Sequence, residues 1–151
     1  MLKAGDKAPD FKVLSDQGKE VTLSQFLGKK DVILYFYPKD NTSGCTKEAC
    51  SFRDQMPQFD NRKAVVLGVS PDSVKSHQGF IQKQNLNFTL LSDPDHNVAE
   101  AYGAWGEKSM YGKKYMGIIR STFIIGKDGI IKKVYEKVKP EGHADEVLQA
   151  L

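Results

Sequence analysis

The chain of 151 residues holds two cysteines, and both fall within Pro38-Lys-Asp-Asn-Thr42-Ser-Gly-Cys45-Thr-Lys-Glu-Ala-Cys50. This stretch directly follows the apolar run Val32-Ile-Leu-Tyr-Phe-Tyr37, so the cysteines sit where a buried strand hands over to a helix. Two thiols five positions apart at such a junction suggest a reactive thiolate with a second thiol in reserve. The chemistry implied is redox chemistry on the cysteines themselves.

A thiolate is the nucleophile, and a helix N-terminus favours it because unpaired backbone N–H groups point outward there. Cys45 follows Gly44 near the expected start of the helix, and Thr42 can bring its hydroxyl to the same place. Pro38 has no N–H and a fixed φ, so it can end the strand and shield one side of the sulfur from water. Activation alone is insufficient. Dropping a cysteine pKa from about 8.5 to about 5.5 raises the thiolate fraction at neutral pH roughly 30-fold. The same drop weakens intrinsic nucleophilicity roughly 20-fold. A fast reaction therefore needs fixed donors that polarise the substrate. Arg120 is the candidate cation, because it immediately precedes the strong strand pattern Ser121 to Ile125 and arginine stays charged when partly buried. A surface arginine at a strand start is the competing reading.

Cys50 bears on the fate of an oxidised Cys45. Five residues on an ideal helix place two Cα atoms about 8.7 Å apart and about 140° out of phase. A disulfide needs less than about 7 Å. If the two cysteines form a redox pair, part of the helix between them must unwind in each cycle. The alternative is a buried Cys50 acting as a small hydrophobe. Metal binding finds little support, since two cysteines lack zinc's further ligands and His77, His96 and His143 are scattered without ligand spacing. No cofactor is expected.

The surrounding pattern describes the elements that must position these residues. Phe11 to Leu14 and Val21 to Leu23 flank Ser15-Asp-Gln-Gly18-Lys as a hairpin. Val32 to Tyr37 and Ala64 to Val69 read as central strands covered on both faces. A helix is expected from Ser43 to about Arg62, kinked or broken at Pro57, and Ser73 can cap a second over Val74 to Gln84. Phe88 to Leu91 is a short strand, Asn97 to Tyr102 a helix ended by Gly103, and Ser121 to Tyr135 a hairpin. A helix from Ala144 to Leu151 completes the series. Residues 103 to 119, with four glycines, read as a long irregular surface loop with aromatic anchors, a substrate lid being the competing reading. The expected architecture is one α/β domain over residues 1–151, a mixed central sheet flanked by helices with an N-terminal β-hairpin.

Composition excludes several functions. A net charge of +3 gives no reason to expect a nucleic-acid partner, and Lys113-Lys114 and Lys132-Lys133 stand among Glu107, Asp128 and Glu136. No apolar stretch approaches the roughly 20 residues of a membrane span, and the first residues lack the apolar core of a secretion signal. A cytoplasmic setting is the expectation. There a disulfide is usually transient and catalytic, and one closing so short a loop would be a poor structural staple.

Pro38-x-x-x-Thr42-x-x-Cys45 resembles the active-site signature of peroxiredoxins, and Arg120-Ser-Thr-Phe resembles their catalytic arginine segment. Gly44-Cys-Thr-Lys-Glu-Ala-Cys50 is similar to the bacterioferritin-comigratory (PrxQ) subgroup, and the likeness runs from Gly5-Asp-Lys-Ala-Pro-Asp-Phe11 to the final helix. The resemblance implies a thioredoxin-like fold and thiol-dependent reduction of hydrogen peroxide and organic hydroperoxides. Under it Cys45 is the peroxidatic cysteine, and Pro38, Thr42 and Arg120 shield the thiolate, hold the peroxide and stabilise the developing charge. Cys50 is the resolving cysteine of an intramolecular disulfide, thioredoxin or a similar dithiol the reductant, and the chain a monomer. The competing readings are a general thiol-disulfide oxidoreductase, disfavoured by the absence of C-x-x-C, and a non-enzymatic thiol sensor or holdase.

Overall fold

In the computed structural model, which describes residues 1–151, strand β1 (Lys12–Ser15) and β2 (Glu20–Thr22) form the N-terminal hairpin. Two parallel strand–helix–strand units come next. β3 (Asp31–Phe36) leads through α1 (Ser43–Asn61) to β4 (Ala64–Ser70), and β4 leads through α2 (Val74–Gln84) to β5 (Thr89–Ser92). After α3 (Asn97–Tyr102) come β6 (Trp105–Met110), β7 (Lys113–Ile118), β8 (Ser121–Ile125), β9 (Ile131–Tyr135) and α4 (His143–Gln149). The main sheet has the order β2-β1-β5-β4-β3-β8-β9. β3, β4 and β5 run parallel, while β1 and β8 attach antiparallel to them. This is the mixed, helix-flanked sheet that the alternating pattern predicts.

Strand periodicity divides the core in two, because successive side chains leave a strand on opposite faces. Val32, Leu34 and Phe36 of β3 pack with Phe11, Val98, Tyr102 and Phe123. Ile33, Tyr35 and Tyr37 point the other way, into a cluster with Cys45, Phe52 and Phe59 of α1, Phe80 of α2 and Val147 of α4. The helix that carries both cysteines thus lies on the second face, locked by Cys45, Glu48, Ala49, Phe52, Met56 and Phe59.

Two local expectations meet a different outcome. Of the kink or break expected at Pro57, the break does not occur: α1 runs continuously through it. Proline removes the N–H that would bond the carbonyl four residues back, and that carbonyl, of Arg53, instead accepts from Asn87 Nδ2 at 3.3 Å. The segment 103 to 119 is not an irregular loop either. β6 and β7 form a two-stranded antiparallel ribbon with Met110 opposite Lys113. The turn residues Tyr111 and Gly112 both have positive φ, 52° and 77°, as a two-residue type I′ hairpin turn demands. Most of the ribbon is exposed on both faces, so it carries no apolar-polar alternation to read.

Candidate active site

Tyr37 continues β3 by one further hydrogen bond, from its N–H to the Val69 carbonyl at 3.0 Å. Half-buried Pro38 then turns the chain off the sheet, and Thr42 stands in extended conformation as the N-cap of α1. Cys45 is the third residue of the helix. It is buried in the first turn, the turn whose N–H groups have no partner within the helix. No disulfide joins the two cysteines.

Arg120 arrives from the segment between β7 and β8. Its Nη2 donates to Cys45 Sγ at 3.2 Å, and its Nη1 donates to Glu48 Oε1 at 2.7 Å. One planar fork therefore spans the thiol and a buried carboxyl through separate nitrogens, a geometry that suits a guanidinium better than a compact ammonium. The backbone of the same arginine is held as well, since its carbonyl accepts from the Val138 N–H at 2.9 Å. That places the 138–140 segment over the site, where Pro140 Cγ lies 3.5 Å from the point a Cβ on Gly44 would occupy.

Glu48 is the residue that helix-propensity reasoning passes over. Its side chain is completely buried, and burial pushes its carboxyl up to about 7 even though Arg120 pulls the other way. Its Oε2 has no hydrogen-bond partner. The signal was present in the spacing: Glu48 falls three residues after Cys45 on the apolar stripe that continues through Ala49, Phe52, Met56 and Phe59. A charge on that stripe calls for a buried partner. Lys108 on β6 adds a second cation nearby. It donates to the Ile118 carbonyl at 2.8 Å, and burial and the charge of Arg120 press its ammonium below the ordinary value.

The remaining sequence candidates occupy distinct places. The Thr42 hydroxyl donates to the Lys39 carbonyl at 2.8 Å, so its proton is aimed there and its oxygen is left to accept. Cys50 lies on the other side of α1, partly buried, with Sγ 3.6 Å from Gln84 Oε1 at the end of α2. The two sulfurs face different neighbours while α1 is intact. The histidines are less scattered than their spacing suggests: His77 joins Asp40 and Asp72, with ligand-type atoms all within 4.8 Å of one another. Both His77 nitrogens, both Asp40 oxygens and Asp72 Oδ2 already have hydrogen-bond partners in the protein, the mark of a closed polar network. His143 is buried between Thr122 Oγ1 at 2.7 Å and Glu146 Oε1 at 2.6 Å.

The chain is similar to known proteins over most of its length. A family model described as AhpC/TSA matches residues 4–134. Peroxiredoxin Bcp of Bacillus subtilis is 50% identical over 150 residues, covering 99% of this chain and 95% of the relative. A cysteine-to-serine mutant of Xylella fastidiosa PrxQ superposes with a TM-score of 0.93 at 40% identity, covering 99% of this chain and 94% of the other. The bacterioferritin comigratory protein of Xanthomonas campestris, solved as a trapped intermediate/ligand complex bearing on its alkyl peroxide reduction activity, gives 0.88 at 43% identity. It covers 93% of this chain and 88% of its own.

Proposed function

The chain belongs to the AhpC/TSA family and is a peroxiredoxin with a thioredoxin-like fold, and we propose that Cys45 is its peroxidatic residue, served by Arg120, Thr42 and Pro38. The observation that carries this reading is the 3.2 Å contact from Arg120 Nη2 to Cys45 Sγ. A permanent positive charge rests against the sulfur in a site the 138–140 segment partly covers.

The Cys45 thiolate attacks one oxygen of the peroxide along the O–O axis. An S–O bond forms, the O–O bond breaks, and the second oxygen leaves as hydroxide or alkoxide and takes up a proton. Negative charge spreads from sulfur over both oxygens in the transition state. Arg120 stands where it can follow that charge, and the first-turn N–H groups of α1 add fixed dipoles that cost nothing to reorganise. Thr42, its own O–H donated in a hydrogen bond to the Lys39 carbonyl, offers an acceptor to the peroxide O–H and so fixes which oxygen faces sulfur. Pro38 limits water on one side.

The sulfenic acid on Cys45 is then attacked by Cys50, giving a disulfide and releasing water. Because both residues belong to α1, the first turns of that helix unwind for the step, and no second chain is needed. A dithiol reductant of the thioredoxin class returns both cysteines to thiols. A reducing, cytoplasmic setting fits two free cysteines, and no helix is long and apolar enough to cross a membrane. Hydrogen peroxide and an organic hydroperoxide should both be consumed in the presence of thioredoxin and its reductase. Cys45→Ser should abolish that turnover; unchanged turnover in this variant rules the reading out.

A further inference from the structure

Beneath the active-site loop lies a buried polar cluster that the peroxide chemistry leaves unused. It gathers buried Tyr37 after β3, Asp40 in the loop, Ser70 at the end of β4 and His77 on α2, with half-buried Asp72 beyond β4 and Ser76 on α2. Between Pro38 and Gly44, Asp40 is the one buried residue, while Lys39, Asn41, Thr42 and Ser43 are exposed. Whatever holds Asp40 therefore holds the loop.

The hydrogen bonds fix where the protons are. His77 Nε2 lies 2.9 Å from the Leu91 carbonyl, which can only accept, so this nitrogen carries hydrogen. His77 Nδ1 lies 2.7 Å from Asp40 Oδ2. Two acceptors do not approach that closely without a proton between them. The same carboxylate also receives the Tyr37 hydroxyl on Oδ1 at 2.5 Å and the Ser76 hydroxyl on Oδ2 at 2.8 Å. Two further donors favour the charge-separated arrangement, in which the shared proton resides on Nδ1.

We propose that His77 is a positioning residue for the peroxide reaction: as a doubly protonated imidazolium it grips Asp40, and through Asp40 it fixes the loop bearing Thr42 and the first turn bearing Cys45. Asn41 turns the loop with φ 64°, a left-handed conformation that asparagine accepts more readily than most residues. The Asp40 N–H is pinned in turn to Asp72 Oδ2 at 2.8 Å.

The grip is pH-dependent. Burial alone would press the imidazole down, but the hydrogen bond and charge of Asp40, the Leu91 carbonyl and the charge of Asp72 carry it above its ordinary value. The titratable groups facing it are Asp40 from the loop, Asp72 beyond β4, and Tyr37 beyond β3, whose hydroxyl burial holds well above its usual range. Loss of the proton leaves the buried Asp40 carboxylate without its cation, and the anchor weakens.

This inference uses the peroxidase reading only for its kinetic readout, so two measurements separate the two. In the reduced full-length protein, long-range 1H–15N spectra should show both ring nitrogens of His77 protonated at pH 7, and this holds whether or not the protein reduces peroxide. Stopped-flow oxidation by hydrogen peroxide should then slow where the spectra show that proton leaving. His77→Gln should slow oxidation at pH 7 roughly tenfold, less than the hundredfold that a 1 Å misplacement can cost, and should lack the step. An unprotonated Nδ1 at pH 7, a rate that ignores the His77 midpoint, or a His77→Gln profile superimposable on wild type each overturns the assignment. If His77→Gln fails to fold, the wild-type spectra and pH profile still decide it.

Discussion

Cys45 and Arg120 are separated by 75 positions in the chain, yet Nη2 of the arginine lies 3.2 Å from the sulfur. The sheet makes this meeting possible. β8 lies antiparallel beside β3, with Phe36 opposite Ser121, so the residue before β8 emerges at the same sheet end where β3 hands over to α1. Glu48 completes the arrangement by taking the other arm of the fork.

Arg120→Lys should therefore do more than shorten a side chain. An ammonium lacks the planar fork that reaches sulfur and carboxyl from separate nitrogens, so at least one of the two contacts weakens. Oxidation of Cys45 by peroxide should slow by about 10² to 10³, the usual loss for one fixed transition-state donor. Stopped-flow kinetics check this, and a rate within a factor of about three of wild type would speak against so large a donor effect.

Glu48 should leave a signature in stability against pH. Its folded value of about 7 lies above the ordinary 4.5, so folding favours the neutral acid. That contribution is complete below about 4.5 and is lost as pH rises through 7, on the order of 3 kcal/mol in all. Thermal melts of Glu48→Gln, which cannot ionise, should gain on wild type between pH 5 and pH 8. Parallel curves would show that Glu48 titrates normally.

Disulfide formation should be visible as local unfolding. The amides of residues 43 to 50 should exchange faster in the oxidised protein than in the reduced one, while β3 and β4 keep their protection. Cys50→Ser should complete one oxidation and then stall with thioredoxin. Equal protection in both redox states would remove the helix-unwinding step.

The ribbon turn offers a test remote from the site. Tyr111 is 99% exposed and adopts a left-handed conformation that suits asparagine better. Tyr111→Asn should stabilise the protein by about 0.5 kcal/mol, read as a small rise in Tm with peroxide reduction unchanged. By contrast, Gly68→Ala should lower Tm, because a Cβ there would lie 2.8 Å from both Leu90 Cδ2 and Tyr35 Cζ, an overpacking worth about 1–3 kcal/mol.

The sequence made the strands legible where burial imposed a pattern. β3 and β4 read as apolar runs because both faces are covered, and the cap at Ser73 read correctly because its hydroxyl accepts from the Ser76 N–H at 3.1 Å. The β6–β7 ribbon did not, since residues exposed on both faces need no alternation and Tyr-Gly is a weak turn signal. Near the cysteines, Arg120 could be placed by its position before β8. Glu48 was hidden because glutamate is also an ordinary helix former, and only its place on the buried stripe betrays it. The Asp40–His77 pair was invisible for another reason: the two residues are 37 positions apart, and only the parallel packing of β3 and β4 with α2 above them brings the two together.

Stopped-flow oxidation of the reduced protein by one equivalent of hydrogen peroxide, followed by thiol counting, tests the role of Cys45 most directly. Wild type should react rapidly and lose both of its thiols, Cys50→Ser should lose its single thiol at a similar rate, and Cys45→Ser should neither react rapidly nor lose Cys50. Rapid peroxide consumption by Cys45→Ser would contradict the central role given to Cys45 and to the arginine that lies against it.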